Sequence, residues 1–84
     1  MHDIHAANQI LKKAIEEARR RKLTKISKIF VELGDIIEHG ELISAKNLRE
    51  NIIDLAKGTI ADNAEVVIKK SNSDFLRLIE IEAN

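Results

Sequence analysis

Two hydrophobic periods alternate along the chain, and the points where one gives way to the other divide it into five elements. From residue 4 to residue 22, Ile4, Ala7, Leu11, Ala14, Ile15 and Ala18 recur three and four positions apart. That spacing puts them on one stripe of an amphipathic α-helix. Asp3 stands where it can cap the helix start or add negative charge beside its first turn. Arg19, Arg20, Arg21 and Lys22 close the segment with cations, which oppose the negative end of the helix macrodipole.

From Lys25 to Leu33 the period becomes two. Ser27, Ile29, Val31 and Leu33 alternate with Lys28, Phe30 and Glu32, and the β-branched content predicts a half-buried strand. Gly34-Asp35 breaks the pattern, and Ile36 to Ile43, carrying Glu38, His39, Gly40 and Glu41, reads as a loop. A second helix is expected from about Ser44 to Lys57. Ser44 is its N-cap, Ala45, Leu48, Ile52 and Leu55 share a face, and Gly58 follows the end, where positive φ is required.

Ala64 to Lys69 predicts a second strand, Ser71-Asn72-Ser73 a polar turn, and Phe75 to Glu82 a third strand. Leu78 and Ile79 are adjacent and so fall on opposite faces of that strand, which a register bulge would reconcile. The short link between these two strands predicts an antiparallel hairpin, whereas the long path from the first strand through the second helix leaves room for a crossover. The expected fold is α+β in the order α-β-α-β-β, with two helices packed on one face of a three-stranded sheet. At 84 residues the chain forms one domain, 1–84, with one small core and neither repeats nor low-complexity segments.

Composition narrows the function classes. Fourteen basic and fourteen acidic residues cancel, so no global field draws in nucleic acid or an anionic membrane. The Arg19–Lys22 run then reads as a helix end in water. Cysteine is absent, which removes disulfides, thiolate zinc sites and a cysteine nucleophile, so no zinc is expected. No leader-like pattern opens the chain and no apolar run approaches about 18 residues, so a cytoplasmic protein off the membrane is expected. The carboxylates are scattered and the histidines have no nucleophile beside them, which argues against an enzyme. Gly34 and Gly58 read as conformational residues, because no glycine-rich loop follows a strand. His39, between Glu38 and Glu41, reads as part of an exposed loop, with a weak metal or partner site as the alternative.

The candidate chemistry lies at Met1-His2-Asp3. A free Met1 amine, the deprotonated His2 amide nitrogen and the His2 imidazole can chelate one ion through fused small rings. Planar nitrogen donors suit Ni(II) or Cu(II) better than Zn(II). Ordinary pKa values are about 7.7–8.0 for the amine and about 6.5 for imidazole, so metal must displace protons and binding weakens as pH falls. One planar position stays open. His5, three residues after His2, shares its face if the helix begins early. Asp3 can add an oxygen or orient the imidazole. A water or a partner's side chain is a further candidate, and an open position suits a carrier that must release its metal.

These words, in this order, resemble the HypA family of nickel chaperones that mature nickel–iron hydrogenases. Met1-His2-Asp3 is similar to the family's Met-His-Glu start, Asp3 being one methylene shorter. Ile29-Phe30-Val31-Glu32-Leu33-Gly34-Asp35-Ile36 looks like its apolar strand ending in Gly-Glu-Leu. Lys57-Gly58-Thr59-Ile60-Ala61-Asp62-Asn63-Ala64-Glu65-Val66 looks like the stretch after its second helix, and Phe75 to Glu82 resembles its last strand. The family inserts a zinc domain with two Cys-x-x-Cys pairs between its last two strands, where this chain has only the turn around Ser71–Ser73. The resemblance implies a nickel-binding accessory protein that holds Ni(II) at Met1, His2, Asp3 and His5, with a HypB-like GTPase and a hydrogenase large subunit as partners. A different reading is a HypA-like interaction module that has lost metal delivery and docks on a GTPase or enzyme subunit through the first helix or the Glu38–Glu41 loop. A third is a self-assembling structural domain, since a three-stranded sheet leaves an open edge.

Overall fold

The computed structural model describes residues 4–38 and 40–83. Its elements are α1 (Ile4–Arg20), β1 (Lys28–Leu33), β2 (Ile37–Glu38), β3 (Glu41–Leu42), α2 (Ala45–Ala56), β4 (Glu65–Lys70) and β5 (Leu76–Glu82). The fold is α+β, as the hydrophobic periods predict: two helices and a three-stranded sheet in the order α-β-α-β-β, with the small β2–β3 ribbon added.

The period-two alternation of β1 sorts its side chains cleanly. Ile29, Val31 and Leu33 are fully buried on the helix-covered face, while Lys28, Phe30 and Glu32 are half-buried on the other. The α1 stripe buries Ala7, Leu11, Ala14 and Ala18, together with Ala6 and Ile10, and leaves Ile15 half-buried. α2 buries Leu48, Ile52 and Ala56. α1 packs against α2 and β5, and α2 packs against β4, so both helices and the sheet share one core. Each fully buried Leu, Ile or Val contributes roughly 1.5–3 kcal/mol by leaving water.

The helix ends follow from local chemistry. Ser44, extended at φ −85°, ψ 147°, caps α2: its Oγ accepts the Asn47 N–H at 3.0 Å. Gly58, just past α2, takes the expected positive φ of 80°. α1 ends two residues before the expected Lys22, because Lys22 itself adopts φ 61°. There the Leu23 N–H donates to the Ala18 carbonyl at 2.8 Å and the Lys22 N–H to the Arg19 carbonyl at 3.0 Å, a Schellman closure built without glycine.

The sheet order corrects one expectation. The last two strands do not form a hairpin. The order is β4-β1-β5, with β4 parallel and β5 antiparallel to β1. The link between β4 and β5 instead wraps the C-terminal end of β1. Along it the Ser71 N–H donates to the Leu33 carbonyl at 3.0 Å, the Gly34 N–H to the Phe75 carbonyl at 2.9 Å, and the Asp35 N–H to the Ser73 carbonyl at 2.8 Å. These bonds satisfy the end of β1 and hold β4 and β5 on opposite sides of it.

A second correction concerns Ile36–Ile43. This is not an open loop: Ile37 pairs with Leu42 and Glu38 with Glu41, and the Ile43 N–H donates to the Ile36 carbonyl at 2.9 Å. The bulge suggested by adjacent Leu78 and Ile79 is present. Phe30 pairs with Glu80 and Val31 with Leu78, which leaves Ile79 as the extra residue.

Candidate functional site

α1 begins at Ile4, so the candidate metal ligands lie at and before its first turn. Met1, His2 and Asp3 fall outside the described residues, as does His39. His5 is in the first turn of α1 and is exposed. Ala6 and Ala7 beside it are buried, so the helix is anchored at its start while the His5 ring faces outward. The ring's only described hydrogen-bond neighbour is the Gln9 amide nitrogen, 3.4 Å from Nε2 and one turn on. That amide donates only to the tautomer whose Nε2 carries no proton. A metal ion needs one unprotonated ring nitrogen, Nδ1 or Nε2, and at Nε2 it would displace the Gln9 amide. His5 therefore has the exposure and the light restraint that a ligand requires. Among the described residues, no group of three or more His, Asp or Glu side chains could hold a metal ion. Of the four expected ligands, Met1, His2, Asp3 and His5, the structure describes His5.

The strongest electrostatic cluster joins the other end of α1 to β5. Arg20 and Arg21 both grip Glu17, Arg21 through Nε at 2.7 Å from Oε2, and Arg21 also donates to Glu80 Oε1 at 2.9 Å. Hydrogen bonds from Arg20 and then Arg21 hold the Glu17 carboxyl below the usual glutamate range. Arg21, then the Ile81 backbone N–H, does the same for Glu80. On the sheet, Arg77 Nε donates to Glu32 Oε1 at 2.7 Å and likewise lowers the Glu32 carboxyl.

The Arg19–Lys22 run is therefore more than a helix end in water, because Arg21 ties α1 to β5. Local patterning could not show this, since Glu80 lies 59 residues away. A carboxylate with a lowered folded pKa binds fewer protons folded than unfolded as pH passes between its two values. Its stabilisation is complete above the unfolded value, roughly pH 4.3, and is lost as pH falls through the lower folded value. The urea midpoint should accordingly drop on acidification below that range, and Arg21→Met should flatten the slope. A midpoint with the same acid dependence in both proteins would remove the network from the account.

The β2–β3 ribbon presents a different surface. Ile37 and Leu42 are cross-strand partners and are 66% and 61% exposed, more than any other large apolar side chain described. No described helix is long and apolar enough to cross a membrane.

No family model matches the chain. It is similar to two curated relatives. Over 75 residues it is 27% identical to hydrogenase maturation factor HypA of Caldanaerobacter subterraneus subsp. tengcongensis, a match covering 89% of this chain and 62% of that protein. Over 75 residues it is 28% identical to hydrogenase maturation factor HypA of Pyrococcus horikoshii, covering 89% of this chain and 51% of that protein. The chain thus spans between half and two thirds of the length of the two hydrogenase maturation factors to which it is similar.

Proposed function

We propose that this chain is a nickel-binding accessory domain of the hydrogenase-maturation type, which carries Ni(II) at its N-terminus for delivery to a metalloenzyme. The observation that carries this reading is the similarity to hydrogenase maturation factors over 89% of the chain. The chemistry of Met1-His2 supplies the cargo site. The Met1 amine, the His2 amide nitrogen and the His2 imidazole chelate the ion, His5 supplies a fourth nitrogen from the first turn of α1, and Asp3 supplies an oxygen or a hydrogen bond to the imidazole. The protein is a carrier and not a catalyst. Its partners, by the same likeness, are a HypB-like GTPase and a hydrogenase large subunit, and it works in the cytoplasm.

Calorimetry with Ni(II) on protein bearing a free Met1 amine tests the reading. His2→Ala removes both an imidazole donor and the anchor of the chelate, and should weaken binding by more than about a hundredfold. His5→Ala, which removes a single donor, should weaken it roughly tenfold. Affinity should also fall as pH is lowered through about 8 to 6.5, where the donors take up protons. Equal affinity before and after His2→Ala would refute the site.

The exposed Ile37–Leu42 pair favours a second reading, an interaction module docking through the β2–β3 ribbon. A partner retained in the presence of chelator and after His2→Ala, but lost after Ile37→Ser with Leu42→Ser, would select it over nickel delivery.

A further inference from the structure

The sheet has a face that the helices do not cover, and its residues form an ordered array. The strand register aligns three rows across β4, β1 and β5. The first row is Glu65, Lys28 and Glu82, the second is Val67, Phe30 and Glu80, and the third is Lys69, Glu32 and Arg77. The bulge adds Ile79, 44% exposed, beside Phe30 and Val67, and these three line a shallow apolar hollow. Glu80 is drawn aside, since its Oε1 accepts from Arg21 and from the Ile81 N–H at 2.9 and 3.0 Å. The middle row is therefore apolar, and the rows above and below it are charged.

The two charged rows are opposites, strand by strand. Glu65 matches Lys69 on β4, Lys28 matches Glu32 on β1, and Glu82 matches Arg77 on β5. We propose that this face is a self-complementary surface on which a second copy of the chain docks face to face, about a two-fold axis running along the middle row. That axis lays the first row of one copy over the third row of the other. Glu65 then meets Lys69 of the second copy, Lys28 meets Glu32 and Glu82 meets Arg77, and the symmetry repeats every pair. Val67, Phe30 and Ile79 close on their own counterparts at the centre.

The pairing is specific to this arrangement. Sliding either copy by one row sets charges against the apolar strip, and reversing the strand direction sets like charges on like. Stacked sheets lie about 10 Å apart at about −30°, so rows remain superposed near the axis. The helices stay on the outside of the resulting sandwich. In-plane pairing through the β5 edge is less favoured, because that edge is bulged and its Ile81 N–H is already taken by Glu80. The face is only three residues deep on each strand, smaller than a standard interface, so the dimer is weak and concentration-dependent.

Sedimentation of the full chain over a concentration series tests this. The average mass should rise from 9.5 kDa toward twice that value. Phe30→Lys should leave a monomer with unchanged circular dichroism. Glu65→Lys and Lys69→Glu should each weaken association roughly tenfold by opposing like charges twice across the axis. An equimolar mixture of those two variants should restore it, because each then meets its opposite. If Phe30→Lys loses its fold, the mixing result decides. A wild-type chain that stays monomeric at millimolar concentration overturns the proposal. So does a dimer indifferent to Phe30→Lys in a folded protein, or a mixture that associates no better than its components.

Discussion

Gly34→Ala should cost about 3 kcal/mol of stability, the upper part of the range for overpacking a filled site. Gly34 is buried at the end of β1, where the β4–β5 link crosses over it. A Cβ there would fall on the Ser73 carbonyl oxygen and hydroxyl, and would lie 2.6 Å from the Ser73 carbonyl carbon. The link cannot yield cheaply. The Gly34 and Asp35 N–H groups are bonded to Phe75 and Ser73, and the same bonds keep β4 and β5 apart. For a domain of this size, whose whole stability is roughly 4–12 kcal/mol, the loss should lower the melting temperature by about 10–20 °C. Adding Ser73→Gly should recover only part of it, because the carbonyl remains in place. An unchanged urea midpoint for Gly34→Ala would mean that the link does not cross β1 as described.

Ile29→Ala should cost about 2–5 kcal/mol, the range for truncating a fully buried isoleucine. Ile29 is fully buried at the heart of the sheet, with Val66 on one side and Ile81 on the other, 5% and 2% exposed. The neighbouring elements are fixed by the sheet and the two helices, so the space left by the side chain stays largely open. Ile37→Ala provides the contrast. Ile37 is 66% exposed on the ribbon, and its truncation should change stability by less than about 0.5 kcal/mol. Equal losses in the two variants, read from urea melts, would contradict the assignment of core and surface.

Much of the fold was legible because it is written in local period. Ile29, Val31 and Leu33 alternate, Leu48 and Ile52 repeat at helical spacing, Ser44 and Gly58 mark the ends of α2, and adjacent Leu78 and Ile79 betray the bulge. Strand order was not legible, because a short link permits a hairpin without compelling one. In the observed order β1 lies between the other two strands, where Lys28 meets Glu65 on β4 and Glu32 meets Arg77 on β5. Those matched charges were visible as residues, but only the register shows that they meet. The β2–β3 ribbon was hidden for a related reason: Glu38-His39-Gly40-Glu41 carries the polarity of a loop, and only the flanking Ile36–Ile43 and Ile37–Leu42 pairings close it. At the candidate site, the sequence offers Met1, His2, Asp3 and His5 as candidate donors, of which the structure describes His5. The exposure of His5 and its light restraint by Gln9 required the start of α1 to be placed.

The proposed function holds Ni(II) on nitrogen donors of the N-terminus. Titrating Ni(II) into the chain with a free Met1 amine, while recording visible absorption and magnetic susceptibility, puts this to the test. One ion should bind per chain, with the absorption band and diamagnetism of planar nitrogen coordination. Both signatures should disappear when the amine is acetylated and when His2 is replaced by alanine. Stoichiometric nickel binding with the same spectrum in the acetylated chain and in His2→Ala would contradict it.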